Sequence, residues 1–306
     1  MNSKNMFYII ILLIVLLLII LHTNINKKYD CNNIIPYKIS ENTIWSYWEQ
    51  GVDEIYPFYK MCVKTWIKKN PFHNIIIIDK YNIYNYLSKE DLPPNWEKIK
   101  VIQLKSDFVR LALLVKYGGI WMDISTICIK PINTVFKQEK SIEGFALRRY
   151  DNNNELSVFE SWFITGKKDS KIIKKWRNEL LKAFGNSKSV EEMDKKYFDD
   201  LDLQKIEYGW YLTIHRVLMK QNQFDEEIKY LYYNDSNIYG AEETAFLHYD
   251  KNSNINFLEE NDDFINIVEK SGTPILKFTG SGGELKKLKE TDFYNKNTLI
   301  FKLLNY

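Results

Sequence analysis

The polarity of the chain changes character once, near residue 30. From Met6 to Leu21 every position is apolar or tyrosine. As a helix this run spans about 24 Å, and Tyr8 and His22 stand where they extend it towards the interfaces of a hydrocarbon layer about 30 Å thick. The following His22-Thr23-Asn24-Ile25-Asn26 lacks the small residues of a signal-peptidase site, so residues 1–30 read as an uncleaved, single-pass membrane anchor. Lys4 and the terminal amine face Lys27 and Lys28 across the run, and the short amino terminus is expected on the cytoplasmic side, a type II arrangement with the body on the far side or at a membrane face. Residues 31–41 form a polar connector containing Pro36, and residues 42–306 alternate polar and apolar positions at the density of a single folded domain.

Within that body the pattern predicts alternating strands and helices. Thr43 to Trp48 is β-branched and aromatic and is followed by Gly51, as a strand end requires. Tyr59, Cys62, Val63, Trp66 and Ile67 recur at helical spacing until Asn70-Pro71, and Asn74 to Asp79 is a continuous apolar run suited to a sheet buried on both faces. Strand, helix and strand in succession begin a βαβ unit and place the domain in the α/β class. A helix is expected over Leu104–Tyr117, with Leu104, Phe108, Leu111, Ala112 and Val115 on one face and Gly118-Gly119 ending it. Ile120 to Asp123 reads as a buried strand continued after Ser125 by Thr126 to Ile129. Further strands are expected at Gly144–Leu147, Val158–Ile164 and Pro274–Thr279, and helices at Ser170–Phe184 and Tyr208–Lys220. Residues 185–206 and 250–270 carry no clear period.

Composition narrows the function. Lys+Arg number 42 against 40 Asp+Glu, a net charge of +2, so no global positive field invites nucleic acid. Cys31, Cys62 and Cys128 are isolated, with neither a C-x-x-C pair nor flanking histidines, and read as structural thiols. The basic residues are nearly all lysine; the arginines are Arg110, Arg148, Arg149, Arg177 and Arg216. An arginine in such a chain draws notice, because its planar fork suits a carboxylate or phosphate.

One segment carries candidate chemistry. If the strand after Gly118-Gly119 returns along the preceding helix, Asp123 lies about 13–16 Å back from the turn. Arg110 and Asp107 lie about 12 and 16 Å back along the helix. The three side chains thus reach one level of the fold, with Asp107 and Arg110 as i,i+3 neighbours at the boundary of the buried face. A carboxylate ending a buried strand is costly without a cation beside it, and the carboxyl ends of strands are where α/β sheets bind ligands.

The residues Ser106-Asp107-Phe108-Val109-Arg110 and Tyr117 to Ser125 resemble the signature of DXD-containing, family 32-like glycosyltransferases, in particular the capsular polysaccharide synthesis proteins. Ile44 to Gly51, Ser161 to Ile164, Tyr211 to His215 and Pro274 to Thr279 are similar to weaker blocks of the same group. The resemblance implies a GT-A fold, Rossmann-like and nucleotide-sugar-binding, over residues 42–306. It also implies transfer of a hexose, with retention, from a UDP- or GDP-sugar to a glycan or polysaccharide acceptor at a Mn²⁺ or Mg²⁺ site. Carried over, Trp45 lines the base pocket, Asp107 contacts ribose or base, Arg110 holds the site, and Gly119 counts among the donor contacts. Asp123 is the first acid of the motif, bridging ribose and metal, and Ser125 stands where the second acid is common. His215 and Lys277 are candidate phosphate or acceptor contacts, Lys277 preceding a Gly280-Ser281-Gly282-Gly283 loop, and Glu242-Glu243 is a candidate acceptor-side pair. Ser125 also motivates an alternative, a relative that binds nucleotide-sugar or glycan without catalysis.

Overall fold

The computed structural model describes residues 39–147, 158–185, 190–198, 212–240, 256–278 and 284–306. The chain divides into two units, Met1–Lys38 and Ile39–Tyr306, the first wholly outside the described residues. The expected anchor, most of the connector, the start of the expected Tyr208–Lys220 helix, Glu242-Glu243 and the Gly280–Gly283 loop also lie outside them. Among the described residues no helix is long and apolar enough to cross a membrane.

The βαβ opening forms as the pattern predicts. β1 (Thr43–Tyr47) leads through α1 (Pro57–Lys69) to β2 (Asn74–Ile78), which pairs parallel with it from Thr43 opposite Asn74 to Tyr47 opposite Ile78. Pro57 opens α1 where its missing N–H is no loss. Next come α2 (Ile102–Tyr117) and β3 (Gly119–Met122), which pairs parallel with β1 on its other side, Trp45 opposite Trp121. The intervening turn requires glycine twice. Gly118 has φ 68° and Gly119 φ 101°, and a Cβ on Gly119 would stand 2.5 Å from the Thr43 carbonyl oxygen.

The expected continuation of β3 does not occur. The chain turns at Asp123–Ser125, and β4 (Thr126–Cys128) belongs to a second sheet, where it pairs antiparallel with β8 (Ile275–Lys277). The main sheet instead takes up β5 (Ile142–Leu147), β6 (Val158–Gly166) and β7 (Ser236–Gly240), in the order β2-β1-β3-β6-β5-β7. β6 runs antiparallel to β3 and β5, so the sheet is mixed.

Helices cover both faces. α2, with α3 (Lys171–Gly185) and α5 (Thr213–Phe224), shares a core with Trp45 and Trp121. On the other face Trp66 of α1 packs with Ile44, Ile120 and Met122. A third cluster joins Phe58 and Cys62 of α1 to Ile127, Leu276 and Phe278, and so fixes the two-stranded sheet against α1. The Trp66 indole N–H donates to the Thr126 carbonyl at 2.5 Å, and Thr65 Oγ1 accepts from the Cys128 N–H at 2.9 Å. The peripheral helices are α4 (Val190–Tyr197), α6 (Glu226–Asn234), α7 (Asp262–Ser271), α8 (Glu284–Lys287) and α9 (Leu299–Asn305).

Candidate active site

The site gathers where β3 ends beside the carboxyl end of β1. The Asp123 N–H still donates to the Trp162 carbonyl of β6 at 2.8 Å, so the residue is held at the sheet edge while its carboxylate, 27% exposed, points out of it. Trp121 and Asp123 are i,i+2 along an extended segment and project to the same side. Accordingly, the Trp121 indole N–H donates to Asp123 Oδ1 at 3.0 Å.

α2 brings Arg110 to the same oxygen. Its Nη2 donates to Asp123 Oδ1 at 3.0 Å, Nη1 donates to Asp107 Oδ1, and the guanidinium lies 4.8 Å from the centre of the Trp121 ring. The three side chains read from the sequence as sharing one level do meet. Asp107 and Arg110 are not at a boundary, however; their side chains are only 8% and 4% exposed. The phenylalanine and leucines on either side of them in α2 are packed into the core, and the pair is enclosed with its neighbours.

A second cation arrives from the other sheet. Thr126 lies opposite Lys277 in the β4–β8 pair, and the Phe278 N–H donates to the Ser125 carbonyl at 2.9 Å. Lys277 Nζ is thereby placed to donate to Asp123 Oδ2 at 2.7 Å and to Ser125 Oγ at 2.8 Å. The sequence singled out Lys277 for phosphate, but not for this contact, because only the strand pairing brings residues 123 and 277 together.

Electrostatics follows from burial and neighbours. Burial opposes ionisation of Asp123, yet the charges of Lys277 and Arg110 outweigh it and hold the carboxyl below its ordinary range. Burial dominates at Asp107 and pushes its carboxyl up to about 7, with Arg110 pulling it part of the way back and Asp123 raising it further. His215, in the first turn of α5, is buried and pushed down to about 3 by burial and by the Arg110 charge, with Asp123 opposing. It is therefore a neutral imidazole, and its Nδ1 has no hydrogen-bond partner among the described residues.

Asp107 makes stability depend on pH with a definite sign. Its folded value of about 7 lies above the unfolded value of about 3.9. Between those values the folded state holds more protons than the unfolded state, so the contribution of Asp107 falls as pH rises through the window. Asp107→Asn is expected to flatten that decline, read as a smaller drop in Tm from pH 5 to pH 8 than in the parent. Equal drops would place the carboxyl back in its ordinary range.

Two expected site residues lie elsewhere. Trp45 is fully buried; its indole N–H donates to the Gly118 carbonyl at 2.9 Å, and its ring packs on Tyr86 and Tyr117. The ring is directed towards the start of β3, and Gly119 sits there with it, about 13 Å by strand rise from Asp123. Both residues build the turn that aims β3 and do not line the site.

The metal site implied by the resemblance does not fit these residues either. Asp123 and Ser125 come together as expected, but the Lys277 ammonium lies between them, and the other Asp123 oxygen is taken by Arg110 and Trp121. An ammonium has no lone pair to offer a metal. No group of three or more His, Cys, Asp or Glu side chains suited to a metal occurs among the described residues.

Comparisons with known proteins place the chain among glycosyltransferases. Over 171 residues the chain is 26% identical to the O-glycosyltransferase PaGT of Phomopsis amygdali, covering 51% of this chain and 42% of that protein. Over 111 residues it is 31% identical to the initiation-specific alpha-1,6-mannosyltransferase of Candida albicans, covering 32% and 28%. It thus spans less than half the length of the curated relatives it matches. A galactosyltransferase solved with donor and acceptor sugar analogs aligns with a TM-score of 0.40 at 12% identity, over 85% of this chain and 96% of the other. Residues 16–267 match the capsular polysaccharide synthesis protein family, a span that includes α2, the glycine turn, β3 and Asp123, and the chain belongs to that family.

Proposed function

We propose that the protein is a glycosyltransferase of the GT-A type that moves a hexose from a UDP- or GDP-sugar to a glycan or polysaccharide acceptor, tethered to a membrane by residues 1–30. The observation that carries this reading is the Asp123 carboxylate held between Arg110 and Lys277 at the carboxyl end of parallel strands, in a chain of the capsular family. The glycosyltransferase and mannosyltransferase names of the relatives support the same class of chemistry.

The residues divide the work by charge. Arg110 and Lys277 present positive charge to a diphosphate, while the part-exposed edge of Asp123 is free to accept from a donor hydroxyl. A site of oriented cations stabilises the charge that develops on the leaving phosphate. Neutral His215, at the amino end of α5, offers a hydrogen bond and not a charge to donor or acceptor. Retention, with the leaving phosphate taking the acceptor proton, is the course implied by the resemblance of residues 106–125.

The test is nucleotide release by the full chain in detergent, against a panel of UDP- and GDP-sugars with glycan acceptors. One sugar on one nucleotide is expected to turn over. Silence across the panel with nucleotide binding intact would replace the transferase with a nucleotide-sugar-binding relative.

A further inference from the structure

Resting on that reading, we propose that the Lys277 ammonium is the resident cation of the donor diphosphate site, so that this protein binds and releases its nucleoside diphosphate without a divalent metal. The position is built into the fold. Lys277 ends β8, and pairing with β4 and the Phe278–Ser125 hydrogen bond fix its backbone one residue from the Asp123–Ser125 turn. Its Nζ then bridges Asp123 Oδ2 and Ser125 Oγ at 2.7 and 2.8 Å, between the two side chains that would otherwise ligate an ion.

Before a donor binds, each acid of the site already has a cation beside it. Asp107 and Asp123 are matched by Arg110 and Lys277, and all but Asp123 have side chains no more than 10% exposed. Mg²⁺ demands oxygens at about 2.1 Å in octahedral array, and would have to expel the ammonium from both oxygens to obtain even two protein ligands. A divalent ion would first have to displace the ammonium and then share the site with it and with Arg110, cations that already stand where a diphosphate would lie. The serine at position 125 then has a positive rationale. A second carboxylate would call for a further cation, whereas a hydroxyl accepts from the ammonium at no charge.

The lysine retains capacity for a ligand. An ammonium has three protons, two are used by Asp123 and Ser125, and the third has no partner among the described residues. A phosphate oxygen approaching along the exposed edge of Asp123 meets it. As the bond between the anomeric carbon and the β-phosphate oxygen breaks, its electron pair remains on that oxygen. The acceptor hydroxyl oxygen bonds to the anomeric carbon, and the acceptor proton passes to the departing phosphate. The extra charge appears next to Lys277, where burial makes a fixed ammonium effective.

Titration of the full chain with UDP and with GDP, in Mn²⁺ and in EDTA, tests the proposal. For the nucleotide that binds, the Kd is expected to agree within about twofold in the two buffers, and sugar transfer likewise. Lys277→Ala is expected to weaken binding about tenfold or more in EDTA, the effect of losing one charged hydrogen bond, and to regain part of it in Mn²⁺ because Asp123 and Ser125 are released. That regained response also reports a folded variant; if Lys277→Ala fails to fold, the two buffers on the parent chain decide. Binding and transfer by the parent in Mn²⁺ but not in EDTA would overturn the lysine proposal and leave the transferase standing. Unchanged binding by Lys277→Ala in EDTA would overturn it as well, and no binding in either buffer would overturn both readings.

Discussion

Asp123→Asn is expected to lower sugar transfer about a hundredfold or more, with a smaller loss of stability. The carboxylate accepts from Arg110 and Trp121 on one oxygen and from Lys277 on the other. An amide keeps one accepting oxygen and turns an NH₂ group towards a donor on the opposite side, whichever way it is placed. One cation is therefore released from its position whatever the rotamer, and the charge that oriented both is gone. One misplaced cation in the transition state corresponds to about 10²–10³ in rate, judged from the removal of single preorganised donors elsewhere. Breaking a buried ion pair costs about 3–5 kcal/mol. Asp123 is more than a quarter exposed, so solvent screens part of the change and about 2 kcal/mol is expected. Transfer rate and thermal unfolding, measured on one preparation, separate the two effects. Activity within about threefold of the parent would remove Asp123 from the donor site.

Much of this site was written locally, and its missing half was not. Asp107, Arg110 and Asp123 were legible because helix rise, strand rise and a glycine turn fix their mutual distance within a few residues of chain. The turn was legible for a steric reason, since Gly118 and Gly119 adopt φ values of 68° and 101°. Lys277 is remote in sequence, and its place depends on β8 joining β4 in a separate sheet, which no local period encodes. The same break explains why one long strand was read where the structure has β3 and β4. Both segments are apolar, and nothing in Ile120 to Ile129 announces that its halves serve different sheets.

Trp45 shows the opposite error. An aromatic residue in the first strand matched a family block, but the amphipathic indole is satisfied by a carbonyl inside the core as readily as by a ligand. α7 falls in a stretch where no period was read, although its apolar residues Phe264, Ile265, Ile267 and Val268 do recur at helical spacing. In α7 only Phe264 and Val268 are buried, although Asn261 caps its amino end by accepting from the Phe264 N–H and Gly272 closes it in the left-handed conformation. Caps and stripe were both readable there and were not combined. Trp121 went unremarked as a site residue although period-two spacing alone puts it on the same side as Asp123.

Arg110→Leu is expected to be the most destabilising change in the site, and pH-dependent. The guanidinium bridges two carboxylates and covers the Trp121 ring, with 4% of its side chain exposed. Leucine fills part of the volume but leaves Asp107 enclosed with no cation beside it. At pH 8, where Asp107 would have to ionise without a partner or hold its proton against solvent, a loss of about 3–5 kcal/mol is expected. At pH 5.5 the loss should be smaller. The Asp107 carboxyl, already raised to about 7 in the parent, rises further in the variant and is neutral there, and a neutral acid does not need the arginine. In linkage terms the folded variant binds a proton that the unfolded chain releases near pH 4, so its stability declines as pH rises above that point, over a wider window than in the parent. Arg110→Lys restores a charge but not the fork, and one ammonium cannot replace donors aimed at two acids, so an intermediate loss is expected. Denaturant unfolding at the two pH values measures both variants. An equal loss at pH 5.5 and pH 8 would assign the role of Arg110 to its packing on Trp121 and not to the two acids it joins.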